Sequence, residues 1–211
     1  NLSILKELKK NNLGADVVSI GELKLALKAG IKPNKIVFSG VGKTDTEIKY
    51  AIQKGILSIN AESNSEIKLI NHISKKLNKI TNIGIRINPD IKAKTNRKIA
   101  TGDKVNKFGI NVVEFLKIIE NRNRYQNINI FLVSVHIGSQ IKDIQVYKRV
   151  LNLISKILAK LKIMKHSIKF IDLGGGMGIP YFKGDKKFNF KKFGIEINKF
   201  YKKEKIKIIF E

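Results

Sequence analysis

Four glycines fall within five residues in the run Asp172-Leu-Gly-Gly-Gly-Met-Gly178. Consecutive glycines leave backbone N–H groups unobstructed, so a loop of this kind can point them at a phosphate. The dinucleotide spacing G-x-G-x-x-G fails because position 179 is Ile, which disfavours a dinucleotide. A tight turn needing positive φ is the plainer alternative, but it needs fewer glycines. His136-Ile-Gly-Ser-Gln140 closes another apolar run. There an imidazole and the Ser139 hydroxyl could meet a ligand, or His136 could be an ordinary core histidine. Arg86 stands alone inside the apolar segment 83–87. A charge there calls for an anionic or polar partner at the mouth of a sheet, unless it is a surface strand-end arginine. Asp16 and Glu211 are acidic groups in otherwise apolar strands. Buried carboxylates need partners, and a cationic cofactor atom is one.

Other strings carry less. Gly40-Val-Gly-Lys-Thr44 looks like the end of a P-loop, but the first glycine of that pattern would fall on Val37. It reads as a turn followed by a helix cap at Thr44. His72 and His166 lie in or beside lysine-rich helical stretches and read as solvent-facing. With no cysteine and three scattered histidines, no metal site is expected.

The elements that must position these residues alternate. Short β-rich runs at 15–19, 35–40, 57–62, 82–88, 128–136, 168–173 and 205–211 are separated by amphipathic stretches. Several runs, such as 130–135, are nearly continuously apolar, as strands buried on both faces are. Leu23, Ala26 and Leu27 share a helical face, as do Ile67, Ile70, Ile73 and Leu77. The longest helix is expected over 143–162, with Val146, Val150, Leu153, Ile154, Ile157 and Leu161 inward. Ser19–Glu22, Thr44–Glu47 and Ser63–Glu66 each read S/T-x-x-E just after a strand, the pattern of a capping box. Gly30 and Gly55 follow two of these helices, where a C-terminal glycine belongs. Strand, box, helix, glycine, strand is a βα repeat, and right-handed crossovers give a parallel sheet. Seven strands and six intervening helices fit most of a (β/α)8 barrel. An open doubly wound sheet would need a reversal of strand order. The long connections 89–111 and 177–190 both follow strands, on the face where barrel sites are built.

A formal net charge of +25 over 211 residues suggests nucleic acid first. The distribution argues otherwise. Arginine occurs only at Arg86, Arg97, Arg122, Arg124 and Arg149, and the lysines spread over nearly every helix. No nucleic-acid-binding signature accompanies them, so a solvated lysine surface is the expectation. A hydrophobic content of 43% can fill one sizeable core, which argues against disorder. No apolar run reaches the ~18–20 residues of a membrane span, so neither membrane nor nucleic acid is expected as a partner, and the cytoplasm is the default. The chain opens on Asn1 rather than Met and stops at Glu211 on an apolar run, so it reads as an internal fragment.

Several strings converge: Gly-Ala-Asp-Val-Val-Ser-Ile-Gly-Glu-Leu (14–23), Phe-Ser-Gly-Val-Gly-Lys-Thr (38–44), Asn-Ala-Glu-Ser (60–63), Arg-Ile-Asn-Pro-Asp (86–90), Thr-Gly (101–102) before Asn-Lys-Phe-Gly-Ile (106–110), His-Ile-Gly-Ser-Gln (136–140) and Asp-Leu-Gly-Gly-Gly-Met-Gly-Ile-Pro-Tyr (172–181). In this order they resemble the diaminopimelate decarboxylases, a family of fold-type III pyridoxal-phosphate enzymes. The likeness runs along essentially the whole chain and favours this family over its ornithine- and arginine-cleaving relatives. Asn96 stands where the family usually has His, and Ile20 where glycine is common.

The resemblance implies an incomplete (β/α)8 TIM barrel of the alanine racemase-like type, strands two to eight, with residues 1–211 as one partial domain. It implies pyridoxal 5′-phosphate as cofactor. His136 would stack on the cofactor ring, with Ser139, Gly174, Gly175 and Gly176 holding the phosphate. Arg86 and Asp16 would line the pocket, and Glu211 would pair with the pyridine nitrogen. Strand one, the Schiff-base lysine just ahead of Asn1, and a C-terminal β domain would lie outside these residues. An unclosed barrel is therefore expected to be inactive and aggregation-prone by itself. The activity implied is decarboxylation of meso-2,6-diaminopimelate to lysine and CO₂ in a homodimer with an interfacial site. Another fold-III decarboxylase, or a non-catalytic pyridoxal-phosphate-binding barrel, remains open.

Overall fold

A computed structural model of the chain describes residues 1–91 and 108–211. The Lys94-Thr95 pair, Asn96, Arg97, Thr101-Gly102 and Asn106-Lys107 lie outside the described residues. The chain divides into two compact units, Asn1–Ile85 with Asn121–Leu132, and Arg86–Glu120 with Val133–Glu211.

The first unit begins with a helix that the strand-centred reading did not expect, α1 (Leu2–Lys10), capped by the Asn1 side chain. Three βα repeats follow: β1 (Ala15–Val17) and α2 (Ile20–Lys28), β2 (Ile36–Phe38) and α3 (Asp45–Lys54), β3 (Ser58–Ala61) and α4 (Asn64–Lys76). Most of β4 (Thr81–Asn88) and the start of β6 (Ile128–Ser134) complete it. The strands pair in parallel and in sequence order, with Val17 beside Phe38, Val37 beside Ser58 and Ile59 beside Ile83. Ile36, Ile59, Ile83 and Ile85 on the strands and Leu23, Ile48, Ile67 and Ile70 on the helices are all fully buried.

The helix junctions refine the expected caps. Thr44 and Glu47 form a complete capping box at α3. Ser19 and Ser63 do accept from the backbone N–H of Glu22 and Glu66, but the glutamates reach one residue further back, to Val18 N–H and Glu62 N–H. These two are therefore not reciprocal boxes. The Glu47 carboxylate also accepts from Ile20 N–H at 3.0 Å, joining the starts of α2 and α3. Those backbone bonds, Thr44 foremost and then Ile20, hold its pKa below the usual carboxylate value. Gly30 ends α2 in a Schellman turn. At φ +86° its N–H reaches Leu27 O, and Ile31 N–H reaches Ala26 O.

The second unit holds the end of β4, the two-residue β5 (Ile110–Asn111), α5 (Val112–Glu120), the end of β6, α6 (Ile144–Ile163), β7 (Phe170–Asp172), α7 (Phe190–Glu204) and β8 (Lys207–Ile209). β5 was not foreseen. It pairs in parallel with the tip of β4, inside what reads in sequence as one long connection. β7 lies between β6 and β8, again in sequence order. Neither unit shows the order reversal that a doubly wound sheet requires. Among the described residues no helix is long and apolar enough to cross a membrane.

Candidate functional site

Each strand expected from the sequence is present, and all but β4, which reaches Asn88 as expected, stop short of the expected C-terminal end. The residues released from the ladder form the loops that carry the candidate groups. β6 ends at Ser134, so His136 and Ser139 belong to the loop beyond it. β7 ends at Asp172, and the glycines follow. β8 ends at Ile209, so Glu211 lies past the strand instead of inside it.

In the second unit these loops lace together through the backbone. The Asp172 carboxylate accepts from Gly174 N–H at 2.9 Å and fixes the start of the turn. Three successive glycine carbonyls are then tied back. Gly174 O accepts from Glu211 N–H at 3.2 Å, and Gly176 O accepts from Ile141 N–H at 2.8 Å. Gly175 O accepts from the Tyr147 hydroxyl on α6 at 3.0 Å. The N–H groups of Gly175 and Gly176 donate to no described residue. The loop also needs its glycines for space. A Cβ on Gly174 would come within 2.6 Å of His136 Nδ1, and one on Gly175 within 2.6 Å of Glu211 O. A Cβ on Gly176 would collide with Gly138 O. Positive φ at Gly174 and Gly176 adds a second reason.

His136 packs on this loop with its side chain 25% exposed, and Glu211 Oε2 lies 3.9 Å from its Nδ1. Burial, with the Arg86 charge acting alongside, lowers the His136 pKa to about 4. The imidazole is therefore neutral at pH 7, and its approach to Glu211 is a polar contact, not an ion pair. Arg86 is half-buried, with its guanidinium 5.2 Å from the centre of the Phe108 ring. Ser139 is exposed beside the loop. The second unit thus brings together Arg86, His136, Ser139, Gly174, Gly175, Gly176 and Glu211.

Asp16 belongs to the first unit and corrects one expectation, because it is exposed and not buried. Its carboxylate accepts from the Ser39 hydroxyl at 2.8 Å. Asn60 Nδ2 donates to the same Ser39 oxygen, and the Ser58 hydroxyl donates to Asn60 Oδ1. An amide N–H cannot accept, so the single Ser39 proton is directed to Asp16. Gly84 makes room for the Asn60 amide, since a Cβ there would collide with Asn60 Oδ1.

Lys43, read as part of a turn, is in fact 1% exposed in its side chain and paired with Glu66 at 2.7 Å. Its ammonium also donates to Gly40 O and Asn60 O, which satisfies all three N–H groups. A lone lysine between Gly42 and a helix cap was the available signal, but nothing in the sequence says that it turns inward. Thr44 does cap α3, as expected. His72 is exposed as expected, whereas His166 is half-buried. Tyr147 escaped notice because it shares the apolar face of α6 with Val146, Val150 and Ile154.

A loop with its carbonyls tied back and two N–H groups that donate to no described residue has the donor chemistry of an anion cradle. A half-buried cation and a neutral imidazole stand beside it. The sequence profile of the family described as "Pyridoxal-dependent decarboxylase, pyridoxal binding domain" matches residues 1–211. The chain belongs to this family. This pyridoxal-binding domain is 42% identical over 186 residues to a diaminopimelate decarboxylase of Aquifex aeolicus, covering 88% of this chain and 44% of the relative. It is 45% identical over 181 residues to a diaminopimelate decarboxylase of Helicobacter pylori strain J99, covering 86% of this chain and 45% of the relative. Among solved structures, diaminopimelate decarboxylase from Helicobacter pylori complexed with L-lysine superposes with a TM-score of 0.95 at 40% identity, covering 100% of this chain and 53% of that one. The chain therefore spans about half the length of the relatives it matches. Its parallel strands and covering helices are those of the alanine racemase-like (β/α)8 barrel. The cofactor of this pyridoxal-binding domain is pyridoxal phosphate, and the residues present fit it: the glycine backbone suits a phosphate, and a carboxylate and a neutral imidazole suit a pyridine ring.

Proposed function

We propose that the protein containing this domain decarboxylates meso-2,6-diaminopimelate, releasing lysine and CO₂ as the closing step of lysine biosynthesis. The observation that carries this reading is identity of 42–45% to diaminopimelate decarboxylases along 86–88% of the chain. When bound, the cofactor supplies an electron sink for the charge left as CO₂ departs. The domain's own residues bind and orient. Gly175 and Gly176 N–H, with the Ser139 hydroxyl, hold the phosphate. His136, neutral at pH 7, covers the ring without adding a positive charge beside it. Glu211 keeps a proton on the pyridine nitrogen, because a nearby carboxylate favours the charged form of a base. Arg86 contributes a fixed cation. Residues 1–211 form one partial barrel domain in this reading. The complete enzyme is a cytoplasmic homodimer, its amino-acid substrate held at the interface.

The test is turnover by the full-length gene product supplied with pyridoxal phosphate. CO₂ release and stoichiometric lysine from meso-2,6-diaminopimelate are expected, with L-ornithine and L-arginine turned over far more slowly. Preference for either of those would move the protein to a different decarboxylase. Cofactor binding without turnover of any of the three would make it a non-catalytic binding barrel.

A further inference from the structure

We propose that Tyr147 is a positioning residue of the phosphate cradle: by holding the Gly175 carbonyl toward α6, its hydroxyl fixes the direction in which the Gly176 N–H is offered to the anion. This rests on reading the glycine loop as a phosphate site, and it adds a residue outside the loop that decides the loop's hydrogen-bonding direction.

The argument starts from the planarity of the peptide. In a trans peptide the C=O of one residue and the N–H of the next point in opposite directions. Tying the Gly175 carbonyl to one side therefore presents Gly176 N–H on the other. A peptide between two glycines has no Cβ to oppose its rotation, so both orientations are sterically open. A tether must choose between them. Of the three carbonyl tethers in this loop, those on Gly174 and Gly176 come from backbone N–H groups. The one on Gly175 comes from a side chain.

Tyr147 is built for a fixed role. It is 3% exposed. Its ring makes edge contacts with Phe188 and Phe193, at 5.8 and 4.9 Å between centroids. Phe193 in turn rests against Phe210, one residue before Glu211. Burial pushes the Tyr147 hydroxyl up to about 12, so it remains a donor across the physiological range. Nothing in the decarboxylation chemistry asks for a phenol at this depth. Among the described residues, its hydroxyl makes one hydrogen bond, and that bond goes to the cradle.

The test uses Tyr147→Phe in the full-length protein, which keeps the ring and its packing. Cofactor-stripped wild type and variant are titrated with pyridoxal phosphate and with pyridoxal, and inorganic phosphate is used as a competitor. Affinity for pyridoxal phosphate and for inorganic phosphate is expected to fall about tenfold, as for loss of one well-directed hydrogen bond, while pyridoxal is unaffected. The ³¹P resonance of the bound cofactor should also shift. Phe188→Leu serves as the packing control: it should lower the melting temperature and leave phosphate selectivity intact. Unchanged affinity in Tyr147→Phe, or an equal loss for pyridoxal, would overturn the proposal. So would a matching loss of selectivity in Phe188→Leu. Should Tyr147→Phe fail to fold, a fluorinated tyrosine at 147 keeps the ring nearly the same size, makes the hydroxyl a stronger donor and must change phosphate affinity selectively. If wild type itself shows no preference for the phosphorylated ligand, the phosphate-site reading falls and this inference with it. If wild type shows the preference and the variant keeps it, only the role of Tyr147 falls.

Discussion

His136 shows how one buried side chain ties site chemistry to stability. Its pKa is about 4 in the fold, against an ordinary value of 6.5, because burial first and Arg86 second oppose the imidazolium. Above pH 6.5 the imidazole is neutral in both folded and unfolded chains, and it makes no difference to stability. As pH falls below 6.5 the unfolded chain takes up a proton that the folded one refuses until about pH 4. Stability is therefore present above 6.5 and lost as pH falls toward 4, with an upper bound of about 3 kcal/mol. Urea unfolding of the full-length protein and its His136→Asn variant at pH 7.5 and pH 5 isolates this contribution from that of the carboxylates. The variant should lose less stability than wild type on acidification. Parallel losses would mean that the imidazole is protonated in the fold, with Glu211, 3.9 Å away, as its counter-ion.

At the scale of strands and helices, two glycines predict opposite signs for one substitution. Gly84 sits in the interior of β4, and a Cβ there would reach Asn60 Oδ1 and lie 2.5 Å from Leu132 Cδ2. Gly84→Ala must displace the Asn60 amide that directs Ser39 onto Asp16, so a loss of about 1–3 kcal/mol is expected. Gly194 lies on the exposed side of α7 with nothing within 4 Å of a Cβ. Gly194→Ala should gain about 0.5–1 kcal/mol through helix propensity. Denaturant midpoints of the two variants decide both, and equal signs would refute the packing account of Gly84. The contrast also explains what the sequence could convey. Nearly continuous apolar runs such as 130–135 and caps such as Thr44 are local, so strands, helices and their order were legible. The glycine run, His136 and Glu211 were legible because their residue types have few uses in an apolar setting. Lys43, Asn60 and Tyr147 were not, because each is defined by a partner 17 to 28 residues away: Asn60 O for Lys43, Ser39 for Asn60, and Gly175 O for Tyr147. Asp16 read as buried because its neighbours in β1 are apolar, yet a three-residue strand leaves its carboxylate in solvent.

Across the whole chain, 42 basic residues face 17 acidic ones, so even complete pairing would leave the excess of +25 uncompensated. Pairs such as Lys142–Asp185 and Lys148–Glu196 neutralise locally, and salt weakens them where they are exposed. The unmatched lysines repel one another over longer distances, and salt weakens that too. The second effect should win, because the repelling charges outnumber the pairs and act together. Lys68 on α4 and Lys156 on α6 are exposed and take part in no described ion pair. Changing both to glutamate lowers the excess without touching either core or the glycine loop. In the full-length protein, Lys68→Glu/Lys156→Glu should melt a few degrees above wild type near 0.01 M salt, where the Debye length is about 30 Å. The gap should close near 0.5 M, where charges a few ångströms apart are already screened. A gap that persists at high salt would trace the gain to new local contacts. Absence of a gap at low salt would mean that the lysines are too widely spread to strain the fold, and their excess would then bear on solubility alone.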